Sequence, residues 1–227
     1  MKPVIPVITG DLSHTLFVPG LNEHYHSIHG AIRESEHVFI NAGLGYMEGR
    51  SSIRILEIGF GTGLNALLTW LHCRDKPTEV LYSAIEPFPV DPSVCSGLNY
   101  PERTGDPDAG TVFRELHDSP WEQLISIGEF FHFIKHKFRL GDVILPECSA
   151  DLVFYDAFSP EVQPEMWTPE VFEKVYRILN PGGILVTYSS RGSVRRALGH
   201  AGFLVEKLPG PAGKRHITRA IKPGDRR

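Results

Sequence analysis

The chain has 227 residues, of which 41% are hydrophobic and 22% charged, so it is long enough to bury a core and is predicted to form one globular domain with an appendage. The net charge of −4 argues against a uniformly basic nucleic-acid-binding protein, and three cysteines without a C-x-x-C pair argue against a disulfide framework or a zinc knuckle. Prolines interrupt the apolar residues at the N-terminus, so we expect no signal peptide, no membrane span and a cytoplasmic protein.

Residues 1–50 are predicted to form an N-terminal extension that covers the site of the main domain at 51–227. Segments 4–8 and 15–18 predict a small hairpin, and apolar positions between 31 and 39 recur at helical spacing before Gly43. Four histidines between positions 24 and 37 invite a metal-binding interpretation: His24, His26, His29 and His37. No cysteine or carboxylate spacing completes a zinc or iron site, so we expect packing or ligand contact and no metal.

The stretch 53–65, IRILEIGFGTGLN, predicts a buried strand, a tight turn and a helix. Its three glycines, Gly59, Gly61 and Gly63, permit backbone conformations and a close ligand approach that a Cβ would block. Leucines at spacings of three and four then predict a helix whose N-terminal amides face the turn, where we expect a polar or anionic ligand group. The spacing is G-x-G-x-G, which differs from the G-x-G-x-x-G of dinucleotide-binding folds.

Two acids accompany this glycine turn. Glu57 precedes it, and Glu86 closes the apolar segment 80–85, 23 residues after Gly63. Nucleotide-binding folds place the carboxylate that holds the ribose hydroxyls at about this position. A packing role for the turn and a bystander acid at the strand end are the alternatives.

The middle of the chain is predicted to be irregular before it becomes regular again. Segment 87–110 is rich in proline, glycine and acids, which predicts a loop or a poorly ordered insertion. A short helix is predicted at 121–125. A strand-like stretch is predicted at 131–139, ending near Asp142. The buried segment 152–155 then delivers Asp156 to the carboxyl end of a strand. Open α/β sheets bind their ligands at that edge.

The last third alternates between helices and strands. Thr168 and Pro169 start a helix that residues 180–183 end. A strand at 184–188, a helix from Ser193 and two strands at 203–208 and 216–220 follow. The alternation predicts an α/β fold built on a doubly wound, seven-stranded sheet.

The basic residues are concentrated near the C-terminus. Residues 191–227 carry ten lysines and arginines against two acids, a balance of +8 that leaves −12 for the remainder. Arg195 and Arg196 fall outside the apolar stripe of the predicted helix, and Lys214 with Arg215 lies at a turn between the last two strands. We expect these four side chains to face one way toward nucleic-acid phosphates, with a solvated surface as the alternative.

Five stretches, in order, resemble the methyltransferase of the MnmC/MnmD family: YHSIHGAIRESEHVFI, LEIGFGTGLN, YDAFSPEVQPEMWTPEVFEKVYRILNPGG, TYSSRGSVRRALGHAGF and LPGPAGKRHITRA. The resemblance covers most of the chain outside 87–120. It implies a class I methyltransferase-like fold, S-adenosylmethionine as cofactor, and methylation of the 5-aminomethyl group of (2-thio)uridine at the wobble position of tRNA. The flavin-dependent oxidase fused to this domain in enteric bacteria has no counterpart here, so we expect the stand-alone transferase.

The resemblance also implies a role for each candidate residue. The methionine part of the cofactor would contact Glu57, Gly59, Gly61, Gly63 and Asn65, the ribose would contact Glu86, and the adenosine end would contact Phe60 and Asp142. Asp156 would stand beside the transferable methyl group, where it holds the acceptor amine and takes its proton; an aspartate that merely caps a turn is the alternative. Substrate-side residues over the pocket would be Tyr25, His26, Glu34 and Phe158.

Three other functions are consistent with the same motifs. An aminopropyltransferase of the spermidine-synthase type and a small-molecule N-methyltransferase would use the same sheet. A non-catalytic nucleotide-binding module is the third, although such a module has no physical need for intact glycines and a strand-end acid.

Overall fold

The computed structural model describes residues 3–142 and 145–224. Its strands, in chain order, are β1 (Ile5–Ile8), β2 (His14–Val18), β3 (Glu23–His24), β4 (Ser52–Ile58), β5 (Glu79–Ile85), β6 (Ile125–Ser126), β7 (Phe131–His136), β8 (Ala150–Tyr155), β9 (Leu179–Thr187), β10 (Leu204–Pro209) and β11 (His216–Ile221). Its α-helices are α1 (Ala31–Ser35), α2 (Leu64–Cys73), α3 (Pro92–Cys95), α4 (Tyr100–Thr104), α5 (Ala109–Asp118), α6 (Pro169–Ile178) and α7 (Gly192–His200). A π-helical segment (Glu36–Asn41) and two 3₁₀ turns (Leu44–Met47 and Pro164–Trp167) complete the set.

The central sheet has β4 in its middle. Within the described residues it contains eight strands in the order β10-β11-β9-β8-β4-β5-β7-β6. The strands from β9 to β7 run parallel to one another, whereas β11, β10 and β6 pair antiparallel at the two edges. The chain builds outward from β4 to β5 and β7, then returns to place β8 on the other side of β4. Ligands of doubly wound sheets bind at such a reversal.

Helices cover both faces of this sheet. The side chains of β4 alternate between the two cores: Ile53 and Ile55 pack with α2, α5 and the N-terminal segment, whereas Leu56 and Ile58 pack with α6 and α7. This alternation is the expected result of a strand buried on both faces. It confirms the α/β, doubly wound architecture.

The N-terminal segment forms a small antiparallel sheet, in the order β1-β2-β3, followed by α1 and the π-helical segment. The predicted hairpin is confirmed, while the two-residue strand β3 was not predicted. Leu16 and Phe39 of this segment are buried in the same core as β4. The segment is therefore packed against the main sheet along one of its faces.

The helix predicted at 121–125 is wrong. Glu122 has a φ of +61°, which a helix does not allow, and its N–H donates to the carbonyl of Lys135 at 2.9 Å. The segment consequently runs along β7, and Ile125 and Ser126 pair with it as β6. This edge strand is the eighth in a sheet predicted to have seven.

The loop predicted at 87–110 is also wrong, because it holds α3 and α4. The carboxylate of Asp91 accepts the N–H of Ser93 at 2.9 Å and caps α3, with Pro92 in its first turn. Proline and aspartate, which indicated a loop, start a helix here.

Residues 180–183 were predicted to end a helix, but they belong to β9. Helix α6 begins after its cap Thr168 as predicted and ends at Ile178, and the next residue already pairs with β8. A shift of register beside Asp151 accommodates the extra residues, and Asn180 Nδ2 donates to Asp151 Oδ1 at 2.6 Å. The other predicted helices and strands are confirmed, with ends that differ by a few residues at most.

Candidate active site

The glycine turn joins the carboxyl end of β4 to the first turn of α2. Gly59, Gly61 and Gly63 have φ angles of +97°, +51° and +74°, which favour glycine. A Cβ on Gly59 would lie 2.6 Å from the backbone oxygen of Asp156, so the turn packs directly against the end of β8. Because Gly63 is the N-cap of α2, the unpaired amides of that helix lie at the turn.

One side-chain amide joins two acids at this edge of the sheet. Asn65 Nδ2 donates to Glu57 Oε1 and to Asp156 Oδ2, both at 2.9 Å. Asn65 Oδ1 is buried and has no hydrogen-bond partner among the described residues, so it is available to a donor on a ligand. We refer to this arrangement as the Glu57–Asn65–Asp156 bridge.

Burial changes the protonation of both acids in the bridge. It raises the pKa of Asp156 to about 7; the charge of Glu34 acts in the same direction, while Asn65 and Lys214 oppose it. Glu57 is completely buried, and burial holds its pKa well above the ordinary value for a glutamate. Asp156 lines the cavity described below, so of the two acids it is the one accessible to a ligand.

Glu86 lies directly after β5, as predicted, and is fixed beside the glycine turn. Its Oε2 accepts the N–H of Gly61 at 3.0 Å, and its Oε1 accepts the N–H of Phe88 at 2.9 Å. Each oxygen keeps a lone pair for a further donor. Burial raises the pKa of Glu86, although the two backbone N–H groups oppose that effect.

The residues predicted for the adenosine end lie at different depths. Phe60 is buried, and its ring packs against His117 and Phe133 at centroid distances of 5.4 and 5.7 Å. Asp142 is exposed in the turn after β7. Both line the same cavity of about 1470 Å³, which also contains Glu86 and Asp156.

The N-terminal segment forms a wall of this cavity. The ring of Tyr25 packs on the glycine turn, since a Cβ on Gly61 would lie 3.1 Å from Tyr25 Cδ1. Phe158 contacts the same tyrosine edge to face at a centroid distance of 5.0 Å. Glu23 accepts a hydrogen bond from the hydroxyl of Ser159 at 2.7 Å, which ties the segment to the loop after β8.

Two buried polar side chains extend the same wall. Glu34 Oε2 accepts the N–H of Ser27 at 2.7 Å, and its Oε1 lies 2.5 Å from Lys214 Nζ. Burial lowers the pKa of His26 to about 4, so this imidazole is neutral at pH 7. Its Nδ1 has no hydrogen-bond partner among residues 3–142 and 145–224.

The four basic residues predicted to face one way are divided between two places. Lys214 turns into the cavity, with Nζ 4.0 Å from the ring centroid of Tyr188. Arg195 and Arg196 line a separate groove on α7, and Arg215 is exposed. The expectation of one common face is therefore wrong, because Lys214 lines the cavity whereas Arg195 and Arg196 line the groove.

Sequence reasoning missed Tyr188 and Lys135. Tyr188 follows β9, and its hydroxyl donates to the carbonyl of Ala157 at 2.9 Å; its place at the end of a predicted strand was the available signal. Lys135 is 2% exposed and donates to the carbonyl of Leu116 at 2.9 Å, at the end of α5. Burial lowers its pKa to about 8. The alternating pattern of 131–139 did not distinguish this inward lysine from its exposed neighbours.

The described residues contain neither a metal-binding cluster nor a membrane-spanning helix. They hold no group of three or more histidine, cysteine or acidic side chains arranged to bind a metal ion. Every helix in that part of the chain is too short or too polar to cross a membrane.

Comparisons with known proteins agree with this geometry. Residues 130–223 match the model of a family described as S-adenosyl-L-methionine-dependent methyltransferase. The chain is 34% identical over 218 residues to the tRNA 5-methylaminomethyl-2-thiouridine biosynthesis bifunctional protein MnmC of Ralstonia nicotianae, a match that covers 92% of this chain and 33% of the relative. The chain thus spans about a third of the length of the curated relatives it matches.

Solved structures give the same result. The MNMC2 structure from Aquifex aeolicus superposes with a TM-score of 0.78 at 29% identity and covers 99% of this chain and 71% of that one. A probable spermidine synthase from Corynebacterium glutamicum superposes with a TM-score of 0.53 at 16% identity, covering 98% and 77%. The second match shows a shared fold.

The fold, the glycine turn and the family model define the chain as a class I, S-adenosylmethionine-dependent methyltransferase. The residues present fit that cofactor: Gly59 and Gly61 bring backbone without side chains to the cavity, Asn65 Oδ1 has no hydrogen-bond partner among the described residues and can accept from an amino group, and Glu86 is placed to accept from hydroxyls. Within this class, the chain is homologous to the methyltransferase part of the MnmC proteins.

Proposed function

We propose that this protein transfers a methyl group from S-adenosylmethionine to the primary amine of 5-aminomethyl-(2-thio)uridine at the tRNA wobble position, in the cytoplasm. The observation that carries the proposal is Asp156, held by Asn65 at the edge of the sheet beside the glycine turn and open to the cavity. The name of the MnmC relatives supports the tRNA substrate.

The chemistry of the transfer explains why an acid is needed there. S-adenosylmethionine supplies an activated methyl group bonded to a sulfonium sulfur. The acceptor amine must be neutral to attack that methyl group, yet a free alkyl amine is mostly protonated near pH 7. With a pKa of about 7, Asp156 can accept a hydrogen bond from the amine and then its proton. The sulfur leaves as a thioether, and most of the rate acceleration comes from alignment of amine and methyl group.

Each half of the cavity then has a role. We propose that the glycine turn with Glu57 and Asn65 holds the methionine end of the cofactor, that Glu86 binds the ribose hydroxyls, and that Phe60 and Asp142 lie toward the adenosine. The support is that Gly59, Phe60, Gly61, Glu86 and Asp142 line one cavity at the switch between β4 and β8, and that Asn65 joins Glu57 to Asp156 beside the glycine turn.

The substrate half is formed by the extension at residues 1–50, which we propose covers the site. Tyr25 and Phe158 offer aromatic faces on which a uracil ring can stack, with His26 behind them. Arg195, Arg196 and Arg215 lie outside the cavity, so we propose that they contact the tRNA backbone away from the reacting base.

A transfer assay tests the proposal. The purified protein is incubated with methyl-labelled S-adenosylmethionine and either tRNA carrying 5-aminomethyl-2-thiouridine or the same tRNA with unmodified uridine, and nucleosides are identified by mass spectrometry. We expect label in 5-methylaminomethyl-2-thiouridine and none with unmodified tRNA. Transfer to putrescine or another small amine, with none to either tRNA, would instead establish a small-molecule N-methyltransferase. Aminopropyl transfer from decarboxylated S-adenosylmethionine would establish the spermidine-synthase type.

A further inference from the structure

We propose that Lys214 and Glu34 form a partly buried ion pair that positions Asp156, so that both are positioning residues for the methyl transfer. The inference rests on the proposed function. Lys214 Nζ lies 2.5 Å from Glu34 Oε1, and the pair joins the loop between β10 and β11 to α1 of the N-terminal extension. The side chain of Glu34 is 7% exposed and that of Lys214 is 29% exposed, so water screens the pair weakly.

Two further contacts fix the loop that carries Lys214. The ring nitrogen Nε2 of His37 lies 2.8 Å from the carbonyl oxygen of Pro209, where the loop begins. Gly213, with a φ of +83°, packs on His29 so closely that a Cβ there would lie 2.0 Å from His29 Cδ2. The pair is therefore held by the packing of both segments around it.

A chain of contacts leads from Lys214 to Asp156. The ammonium lies over the ring of Tyr188, whose hydroxyl donates to the carbonyl of Ala157, the residue next to Asp156. On its other side, Asp156 accepts from Asn65. Asp156 is thus held between the Glu57–Asn65–Asp156 bridge and a wall that includes Lys214.

Lys214 and Glu34 have opposite effects on the pKa of Asp156. Five ionisable side chains, each from a different element, interact electrostatically with Asp156. They are Glu34 of α1, Glu57 of β4, Tyr82 of β5, Tyr188 after β9 and Lys214 of the hairpin loop. Lys214 is the cation in this set and favours the ionised carboxylate, whereas Glu34 favours the protonated form. The two effects oppose each other, so the pair sets the pKa of Asp156 as a balance on top of the increase that burial causes.

The test is a titration of Asp156 in four proteins: the parent, Lys214→Met, Glu34→Gln and the double variant. The protein is labelled with [4-¹³C]aspartate, and the Asp156 signal is identified by its loss in Asp156→Asn. We expect Lys214→Met to raise the pKa of Asp156 by about one pH unit, Glu34→Gln to lower it by about as much, and the double variant to lie near the parent. The acidic limb of kcat/KM for methyl transfer should move in the same directions.

Matched control variants distinguish an effect of Lys214 and Glu34 on Asp156 from a general effect of removing a charge. Lys207→Met on β10 and Glu36→Gln on the π-helical segment remove exposed charges close in sequence and should leave both readouts unchanged. Lys214→Arg keeps the ion pair and should preserve the titration. If Lys214→Met leaves an unpaired acid and does not fold, the double variant and Glu34→Gln still provide the comparison.

Two outcomes would overturn the inference: shifts of the same sign in both single variants, or no shift in either. The titration needs no tRNA, so an unsuccessful transfer assay with opposite shifts would reject the proposed substrate and keep the positioning role. Unshifted titrations with normal tRNA methylation would reject the positioning role alone.

Discussion

Asp156→Asn should make the protein more stable at alkaline pH while it slows methyl transfer strongly. In the folded protein burial raises the pKa of Asp156 to about 7, against an ordinary value of 3.8. The folded state therefore binds this proton more tightly than the unfolded state. The associated stability is fully present below about pH 4 and is lost as the pH rises through about 7. Asparagine does not ionise, and its side-chain oxygen can still accept from Asn65.

The size of the effect follows from the two pKa values. Their difference corresponds to about 4 kcal/mol, because each pH unit is worth about 1.4 kcal/mol. Asp156 is partly open to the cavity, so solvent screening makes this an upper limit. The variant should equal the parent near pH 4 and exceed it progressively up to about pH 8. Loss of the proton acceptor should lower kcat by about a hundredfold or more.

Urea unfolding of both proteins between pH 3 and pH 8.5 measures the difference. Asp91→Asn is the matched control with the opposite sign, because the Ser93 side chain and N–H hold the pKa of Asp91 below its ordinary value. That variant should lose stability relative to the parent as the pH rises from 3 to 5. A pH-independent gain for Asp156→Asn, or a loss at pH 8, would refute the reasoning.

Two further predictions concern the cofactor and the tRNA. Gly61→Ala should weaken S-adenosylmethionine binding at least about tenfold in calorimetric titration, since φ at Gly61 is +51° and a Cβ there would displace the Tyr25 ring at the wall of the cavity. Gly105 also has a positive φ but has open space around it, so Gly105→Ala should bind the cofactor normally; equal binding by both variants would contradict the assignment of the turn. Replacing Arg195 and Arg196 by glutamine should reduce the slope of log tRNA affinity against log salt by about two without changing cofactor binding. An unchanged slope would place the RNA on another surface.

Local sequence patterns were sufficient to predict the strand, the glycine turn and the strand-end acids from which the site is built. The run of apolar residues before Gly59 predicts a central strand, and the three glycines predict the turn, because burial periodicity and allowed backbone angles depend on residues that are neighbours in the chain. The same reasoning located Glu86 and Asp156, since a strand-end acid in a parallel sheet lies at the ligand-binding edge whatever the details of packing. Local sequence patterns gave a wrong prediction where contacts between distant residues set the backbone conformation. Glu122 is not helical, because its N–H pairs with the backbone of β7.

The chemistry of the site depended on contacts between distant residues. No spacing indicated that Asn65 would donate to Glu57 and to an acid 91 residues away, or that Lys214 would turn inward to Glu34 while Arg215 stays in solvent. Residue order along the chain was sufficient to predict which residue types stand at the edge of the sheet. The tertiary structure decided which of them touch and which proton is labile, because the pKa of a carboxyl group depends on burial and on the charges that packing brings around it.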